Sequence, residues 1–386
     1  MASHECPLLL VKTILGMERV AASYIAEMDP NARIEPAPRG FRGLVLVETS
    51  KDKYELAREI EAKVPEAEKV IVAEACTEAD LVKIAEIAAA LAPRFISSNE
   101  TFAVRTVRRG KHDFTSIDVN VVVGDAVRRA TGAQVNLRYP DKVVAVEIIQ
   151  DLALIAFYPG SREWRKMKPG KYPLYKLFRR FSIVQMPYLG PLDACRTMGV
   201  RVGREVQNFE VGELVVAPIG LVDARQLYEF LGGVFEGIES RYQIQRRSYG
   251  RDVRRVPVYV QDLYQLVRSR HGEPIIVFEP EGDPISKRDK DVLEIVKGGR
   301  RVTLLFGSRE GIPEGVYRFA DLVLDIAPGI TLSTEYAAAA ALIAIGSVVH
   351  DELAAEHNNG EDSAAGKQPK DAAIGTPHAR KRGRPL

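Results

Sequence analysis

Residues 302–349 constrain the fold of this 386-residue chain more than any other segment. Two apolar runs of strand length, 302–306 and 322–326, each end in a loop that contains glycine, and the second loop leads into an alanine-rich helix. Glycine lets backbone approach a ligand closely because no Cβ stands in the way. Ligands of open parallel sheets bind at the carboxyl ends of the strands. The segment therefore predicts a parallel α/β unit with a ligand site in these loops; ordinary connecting loops are the alternative.

Further long apolar runs at residues 181–186, 213–217 and 274–278 are typical of strands buried on both faces of a parallel sheet. The last run ends in a third loop, residues 278–282. Three loops from such strands can form one pocket whose backbone groups bind a flat adenine ring and its ribose. Signatures of nicotinamide and triphosphate cofactors are absent, because no G-x-G-x-x-G follows a first strand and no Walker sequence is present.

The cysteines, the N-terminus and the apolar stretches of the sequence argue against several classes of protein and site. Three cysteines, Cys6, Cys76 and Cys195, lie far apart without CxxC spacing, which argues against a disulfide scaffold and a zinc site, and we expect no metal. The N-terminus lacks a basic region followed by an apolar stretch. The best apolar stretch, residues 337–349, is too short to span a bilayer. We therefore expect a cytoplasmic protein with no membrane partner.

The first 92 residues alternate short strand-like runs with amphipathic runs of helical spacing. Their order, β-α-β-β-α-β followed by a further helix at residues 81–91, suits a ferredoxin-like α+β module. We therefore predict an N-terminal ferredoxin-like domain at residues 1–92.

Residues 93–180 carry 17 Lys and Arg against 8 Asp and Glu, whereas the whole chain has a net charge of +2. A basic block of this kind is expected of a polyanion binder, and a solvated charged face is the alternative. Arginine forks suit phosphate oxygens, so the basic residues of the block are candidates for RNA backbone contacts. These candidate RNA-binding residues are Arg105, Arg108, Arg109, Lys111, His112, Arg128 and Arg138.

Within this block a run resembles a known RNA-binding family. It reads SNETFAVRTVRRGKHDFTSIDVNVVVGDAVRRATGAQVNLRYPDKVVAVEII. The F-A-V-R opening, the R-R-G-K-H-x-F-T-S turn and the V-N-L-x-x-P-D-x-x-V-x-V-E finish resemble a THUMP domain, which we place at residues 93–165. THUMP domains bind structured RNA, usually the 3′ end and acceptor stem of tRNA. The resemblance therefore implies a tRNA partner.

Three other segments have distinctive compositions. Residues 166–180 are rich in Lys, Arg and Pro and are predicted to be a basic linker. Residues 241–255 contain six arginines and are interpreted as an excursion on an RNA-facing rim, or equally as a charged surface hairpin. Residues 351–386 are poor in large apolar residues and are predicted to be a disordered tail.

The glycine loops themselves resemble a second family. The runs LLFGSREGI and LDIAPGITLSTEYA are similar to the last two motifs of SPOUT methyltransferases. The resemblance implies an α/β trefoil-knot domain at residues 181–350 and S-adenosylmethionine bound by the three loops. The implied cofactor-binding residues are Phe278, Glu279, Pro280, Gly282, Phe306, Gly307, Ser308, Glu310, Gly311, Ile326, Ala327, Pro328, Gly329, Ile330, Leu332, Ser333 and Thr334.

The same resemblance implies catalytic residues and an assembly. The run GREVQNFEVGELVVA resembles a SPOUT stretch whose arginine precedes Phe by five residues, and that arginine is Arg204. Arginine stays protonated, so we expect Arg204 to hold the target phosphate or ribose, with a surface ion pair as the alternative. Glu335 is a candidate for a carboxylate that lies beside the sulfonium, or for the group that accepts the proton. A helix cap is an equally good explanation of Glu335. SPOUT enzymes form homodimers, and the apolar helix 337–345 fits such an interface.

Together these resemblances imply an S-adenosylmethionine-dependent RNA methyltransferase. The expected reaction is 2′-O-methylation of a tRNA ribose in or near the acceptor stem. One alternative is methylation of a uridine base nitrogen on tRNA or rRNA. It is kept open because the S-T-E-Y-A run at residues 333–337 lacks the asparagine that is typical of ribose methylators. A non-catalytic THUMP RNA-binding protein is the rival from another class.

Overall fold

The computed structural model describes the backbone of residues 8–365 and the side chains of residues 8–357. The chain divides into two compact units, one that extends to Lys168 and one that begins at Pro169.

The first sheet of the N-terminal unit has two helices on one face. Its elements are β1 (Leu8–Thr13), α1 (Glu18–Met28), β2 (Arg33–Pro36), β3 (Leu44–Glu48), α2 (Lys53–Lys63) and β4 (Ala67–Val72). The strand order is β2-β3-β1-β4, and β1 pairs antiparallel with both β3 and β4. Alternate residues of β1, such as Leu9 and Val11, pack with Ile25 and Ile60 of the helices. The predicted ferredoxin-like module is confirmed in this sheet.

A second sheet of the same unit packs against the first. Its elements are β5 (Ala75–Glu78), α3 (Leu81–Leu91), β6 (Thr101–Arg109), α4 (Ser116–Thr131), β7 (Gln134–Val135), β8 (Lys142–Ile149) and β9 (Leu152–Pro159). The strand order is β5-β9-β8-β6-β7. One face is covered by α3 and α4, and the other contacts the first sheet through Leu10 and Leu154.

The predicted boundary at residues 92 and 93 is wrong. β5 pairs with β9, so the second sheet begins at Ala75. The apolar side chains of α3, among them Ile84 and Ala88, pack with Val123 of α4. A helix that follows a strand by two residues can pack on either neighbouring sheet, and the sequence does not show which.

The C-terminal unit is built on a parallel six-stranded sheet. Its strands are β10 (Phe181–Gln185), β11 (Glu213–Val216), β12 (Val258–Val260), β13 (Ile275–Pro284), β14 (Val302–Phe306) and β15 (Leu322–Asp325). Its helices are α5 (Tyr175–Phe178), α6 (Leu192–Phe209), α7 (Ala224–Ser248), α8 (Leu263–Ser269), α9 (Asp289–Lys297), α10 (Glu314–Tyr317) and α11 (Thr334–Ala365). The strand order is β12-β11-β10-β14-β13-β15, with every described pairing parallel. The predicted parallel sheet is confirmed, and β12 is the strand that the sequence did not predict.

Helices α6 and α7 cross in direct backbone contact. A Cβ at Gly203 would lie 2.1 Å from the carbonyl oxygen of Val234, and one at Gly237 would lie 2.2 Å from that of Val200. Real Cβ atoms do not approach other atoms so closely, so these glycines set the separation of the two helices.

The predictions for two segments of the second unit differ from the structure. Both segments are helical in part, because some of their side chains are buried in this unit. The end of the predicted linker forms α5, whose Leu177 and Phe178 are buried in the core. Residues 241–248 continue α7 as a helix, so the predicted hairpin is wrong for that part. Gln245 explains the continuation, because it is fully buried and hydrogen-bonds Gln207 of α6 at 2.9 Å.

The last helix is longer than the sequence predicts. α11 extends through Ala365, whereas the predicted tail begins at residue 351. Leu353 is buried, and Lys297 of α9 pairs with Glu356 at 2.9 Å, which anchors the added turns. Residues 366–386 of the predicted tail lie outside the described residues.

By length and composition, the α11 segment Thr334–His357, which is longer than the predicted run 337–349, is sufficient to cross a membrane. Its Ala341, Leu342, Ile345 and Val349 are fully buried in the core of the second unit. The apolar composition of the helix is thus explained by packing within the protein.

The two cysteines among the described residues differ in state. Cys195 is a buried free thiol, whereas Cys76 on β5 is disulfide-bonded. The wide spacing of the cysteines argued against a disulfide scaffold, but separation along the chain does not determine separation in space.

Candidate functional site

A cavity of about 290 Å³ lies at the carboxyl ends of β13, β14 and β15. Three loops form it, one from each strand, and we call it the three-loop cavity. Its lining residues are Phe278, Glu279, Pro280, Glu281, Gly307, Ser308, Arg309, Glu310, Gly311, Leu324, Asp325, Ile326, Ala327, Ile330, Thr331, Leu332, Thr334 and Ala337. Its volume is at the lower end of the usual range for small-molecule sites, roughly 300–1,000 Å³.

The first loop is an irregularity inside β13. The pairing of β13 with β15 shifts register between Phe278 and Asp283, so the residues between them bulge out of the ladder. Gly282 closes the bulge against β15, because a Cβ there would lie 2.5 Å from the backbone nitrogen of Leu324. The bulge therefore places Glu279 and Glu281 in the lining of the cavity.

The second loop is held by close contacts at its first residue. A Cβ at Gly307 would lie 2.5 Å from Oε1 of Glu279 and 2.6 Å from Cα of Gly311. Behind the loop, the rings of Phe278 and Phe306 stack with their centroids 5.1 Å apart. The buried side chain of Gln185 donates to the carbonyl oxygen of Gly307 at 2.7 Å. Glycine is therefore required where this loop turns.

Polar groups in the cavity are available to a ligand. Burial raises the pKa of Glu279, although the hydrogen bond from the Ile312 amide opposes this and the neighbouring Glu281 adds to it. The buried hydroxyl of Ser308 has no hydrogen-bond partner among the described residues. In the third loop, Asp325 accepts a hydrogen bond from the amide of Ala327 at 2.8 Å. A hydroxyl without a partner in a ligand-sized cavity is expected where a polar ligand binds.

Most of the predicted cofactor-binding residues meet at this cavity, and five do not line it. Gly282 and Phe306 lie behind its wall, and Pro328, Gly329 and Ser333 are in the third loop without lining the cavity. The sequence reasoning missed six lining residues: Glu281, Arg309, Leu324, Asp325, Thr331 and Ala337. Each of them lies within three residues of a predicted one, so taking the loops as whole segments would have found them.

The basic block of the N-terminal unit is partly engaged in internal ion pairs. Arg109 donates to Glu147 at 3.1 Å, and Lys12 also pairs with this buried carboxylate. Arg105 donates to the carbonyl oxygen of Leu137 at 2.7 Å. His112 lies 2.6 Å from the carbonyl oxygen of Gln150. These contacts hold β6 and the loop after it against neighbouring segments.

Other predicted RNA-binding side chains reach solvent. Lys111, Arg128 and Arg138 are exposed. Arg128 pairs with Asp125 one turn earlier on α4, and Arg138 lies over the ring of Tyr139. Arg108 is half-buried, with its guanidinium 3.1 Å from Nδ1 of His112. Binding of RNA by these residues stays a prediction.

Comparison with protein-family models decides the family. Residues 175–370, about half of the chain, match the model for the AF2226-like SPOUT RNA methylase fused to THUMP. Residues 78–157 match the THUMP domain. The chain belongs to this THUMP–SPOUT family.

Several curated proteins are similar to this chain. An uncharacterized protein of Methanocaldococcus jannaschii is 41% identical over 346 residues, which cover 89% of this chain and 94% of the relative. The tRNA (guanine(6)-N2)-methyltransferase of the same organism is 40% identical over 67 residues, 16% of this chain and 18% of that enzyme. The tRNA sulfurtransferase of Vibrio cholerae is 49% identical over 55 residues, 14% of this chain and 11% of that enzyme.

The two predicted catalytic residues of this THUMP–SPOUT protein do not line the three-loop cavity. Arg204 is exposed on α6 and donates to the hydroxyl of Ser240 on α7 at 2.6 Å. Glu335, in the first turn of α11, accepts from Arg201 at 2.7 Å. Its neighbours Thr334 and Ala337 do line the cavity, so Glu335 lies beside it. Catalytic roles for both residues stay predictions.

The sequence reasoning missed a second carboxyl group, which lies where α6 contacts α11. Glu205 lies one turn after Arg201 on α6, and its Oε1 accepts from the amide of Ala339 at 2.8 Å. Burial raises the pKa of Glu205 to about 8, and the charge of Glu335 adds to this while the Ala339 amide opposes it. Because the side chain is buried only when α11 packs on α6, no local signal marks it.

Side chains that could bind a metal ion do not form a cluster in the part of the chain that the structure describes. Across residues 8–357, no group of three or more His, Cys, Asp or Glu side chains is placed to hold a metal ion.

Proposed function

We propose that this THUMP–SPOUT protein is an S-adenosylmethionine-dependent tRNA methyltransferase that acts on a ribose 2′-hydroxyl in or near the acceptor stem. The observation that carries the proposal is the three-loop cavity at the carboxyl edge of the sheet, which gathers twelve of the predicted cofactor-binding residues. The THUMP domain supports an RNA substrate. The names of two curated relatives, a tRNA methyltransferase and a tRNA sulfurtransferase, support tRNA as that RNA.

The residues present fit S-adenosylmethionine. The cavity has a ligand-sized volume, a hydroxyl without a partner at Ser308 and carboxylates at Glu279 and Glu310. When bound, S-adenosylmethionine supplies a methyl group activated by a positively charged sulfonium. The carboxylates would stabilise that charge, and backbone groups of the glycine loops would contact the adenine and ribose.

The residues of the chain itself must also orient the target hydroxyl and accept its proton. Glu310 lines the cavity and is exposed, so its carboxylate can accept a proton from a hydroxyl brought to the opening. Tight positioning of the hydroxyl supplies much of the rate of such a transfer. The cavity lining contains no cysteine, so a cysteine nucleophile of the kind that some base methylators use is absent from it.

A homodimer would complete this site. Arg204 lies on the α6–α7 face and not at the cavity of its own chain. The same unit exposes large apolar side chains on α7 and α11, namely Tyr228, Phe235, Tyr336 and Ile343. Burial of these side chains between two copies is favourable, and it would let Arg204 of one copy serve the other.

The direct test is transfer of labelled methyl groups to total tRNA and, separately, to rRNA. We expect incorporation into tRNA that Arg204→Ala abolishes, whereas Arg225→Ala, an exposed arginine at the start of α7, leaves it unchanged. No incorporation into either RNA contradicts the proposal. If calorimetry also detects no binding of S-adenosylmethionine at high micromolar concentration, a non-catalytic RNA-binding protein is the better explanation.

The target atom and the role of the 3′ end need separate measurements. A 2′-O-methyl group blocks alkaline cleavage of the neighbouring phosphodiester, so alkali-resistant labelled dinucleotides identify ribose methylation. Label in mononucleotides instead identifies a methylated base. Removal of the 3′-terminal nucleotides should weaken tRNA binding if the THUMP domain grips that end.

A further inference from the structure

A second cavity, of about 680 Å³, opens at the same edge of the C-terminal sheet. In the strand order β12-β11-β10-β14-β13-β15, the chain proceeds from β10 towards β12 on one side and occupies β13 to β15 on the other. The order therefore reverses between β10 and β14. Loops that leave the carboxyl ends of two such strands diverge, and the crevice between them is where open α/β sheets bind ligands. The cavity lies there, and we call it the switch-point cavity.

The switch-point cavity and the three-loop cavity share one wall. Ser308, Arg309 and Glu310, which follow β14, line both of them. A ligand in one cavity is therefore separated from a ligand in the other by a single short loop. Ligands in the two cavities therefore contact the same three residues, and a group transfer requires that the reacting atoms of its two ligands lie close together.

The lining of the switch-point cavity is suited to a flat ring that is joined to a negatively charged group. Its lining is largely apolar, with Met186 and Leu189 after β10 and Leu221 after β11. The ring of Tyr264, at the start of α8, is about 40% exposed. Leu221 is fully exposed, so it lies at the rim of the cavity. Aromatic and apolar surfaces of this kind stack nucleobases.

The lining of the site holds one cation, Arg309, and one carboxylate, Glu310. The guanidinium of Arg309 lies 5.8 Å from the centroid of the Tyr188 ring and is exposed to solvent. Arginine binds phosphate oxygens with two parallel hydrogen bonds, and its rigid fork favours phosphate over other anions. One cation beside an apolar and aromatic lining matches a nucleotide better than it matches a second adenosyl cofactor, which carries no phosphate.

We propose that the switch-point cavity binds one unstacked nucleotide of the RNA substrate, with its base against Tyr264 and its phosphate at Arg309. The inference rests on the proposed function, because it assigns the acceptor nucleotide of the same reaction. A nucleotide inside a helix cannot reach such a cavity, so the target is single-stranded or leaves the stack when it binds.

The test uses the full chain with tRNA and S-adenosylmethionine, and three variants of two tyrosines. Tyr264→Ala removes the stacking ring, and Tyr264→Phe keeps it. Tyr259→Ala is the matched control, since Tyr259 lies on β12, is 53% exposed and does not line the cavity. Two quantities are measured for each protein: kcat/KM for tRNA at fixed salt, and the affinity for S-adenosylmethionine by calorimetry.

We expect Tyr264→Ala to lower kcat/KM for tRNA by about tenfold or more, as for loss of one base stack, while Tyr264→Phe stays within about twofold. The affinity for S-adenosylmethionine should be unchanged in all three variants. An unchanged kcat/KM for Tyr264→Ala overturns the inference, and so does a parallel loss of cofactor affinity.

If the wild-type protein transfers no methyl group to RNA, the proposed function fails and the cavity is tested directly. Saturation-transfer NMR with the four nucleoside 5′-monophosphates then reports contact. A signal that Tyr264→Ala abolishes and Tyr259→Ala retains supports a nucleotide site without the enzyme activity. Absence of any signal with the wild-type protein overturns the inference.

Discussion

The carboxylate of Glu279 accepts a hydrogen bond from the backbone amide of Ile312, with 2.6 Å between Oε1 and the nitrogen. Glu279 belongs to the bulge of β13, and Ile312 follows the loop after β14. One side chain therefore links two of the three walls of the three-loop cavity. Ile312 is buried, so its amide depends on this acceptor.

Glu279→Ala should weaken the binding of S-adenosylmethionine by about tenfold, because a buried amide left without its acceptor costs about 1–3 kcal/mol and the loops lose their link. Glu279→Gln keeps an acceptor oxygen and should have a smaller effect. Calorimetry with the cofactor measures both. Glu314→Ala, an exposed glutamate on α10, is the control. Equal affinities for Glu279→Ala and the wild type would show that the link does not shape the site.

Gly307→Ala should abolish cofactor binding, or reduce it at least about tenfold, because the new Cβ has no room. It would lie 2.5 Å from Oε1 of Glu279 and 2.6 Å from Cα of Gly311, so the loop must move. Gly250→Ala is the matched control, since a Cβ there meets nothing within 4 Å. Calorimetry and thermal unfolding are measured together. Tight cofactor binding by Gly307→Ala would contradict the close-packed loop.

The sheet of the C-terminal unit could be predicted because each of the five apolar runs of strand length is also a strand. The run at residues 302–306 is β14, fully buried on both faces, as its composition indicates. Strand β12 was not predicted because it has only three residues, Val258–Val260. It also lies at the edge of the sheet, where a strand needs no continuous apolar run.

The candidate site could be predicted only where its residues follow strand ends in the sequence. Gly307 and Glu279 belong to such loops, so strand recognition places them at one edge of the sheet. Glu205 is in the middle of an amphipathic helix, and its environment depends on α11, more than 130 residues later in the chain. The position of Arg204 depends in the same way on how α6 packs on α7. Such tertiary contacts leave no local pattern.

Glu205 should make the stability of the protein depend on pH. Its folded pKa is about 8, against 4.5 for an ordinary glutamate, because burial disfavours the charge. Between these values the folded protein holds a proton that the unfolded chain has lost. The stability from this group is therefore fully present below about pH 4.5 and is lost as the pH rises through about 8.

Glu205→Gln keeps the neutral shape and should remove this pH dependence. The free energy of unfolding of the variant should exceed that of the wild type by on the order of 3 kcal/mol near pH 9 and differ little near pH 5. Urea unfolding at both pH values measures the difference, with the exposed Glu314→Gln as the control. Parallel pH profiles for Glu205→Gln and the wild type would mean that Glu205 is charged in the folded state.

Two adjacent glycines of α7 should respond to alanine in opposite directions. A Cβ at Gly233 would lie 2.1 Å from the carbonyl oxygen of Arg196 on α6, so the helices must separate, and we expect a loss of about 3 kcal/mol. A Cβ at Gly232 meets only the end of the flexible Arg196 side chain, at 3.2 Å. Alanine there should stabilise the helix by about 0.5–1 kcal/mol.

Thermal unfolding followed by circular dichroism compares the two variants, and each serves as the control for the other. The midpoint should fall for Gly233→Ala and rise slightly for Gly232→Ala. Because α6 carries Arg201 and Glu205 to the first turns of α11, separation of the helices should also lower methyl transfer by Gly233→Ala. Similar midpoints for the two variants would show that α6 and α7 are not in backbone contact at this crossing.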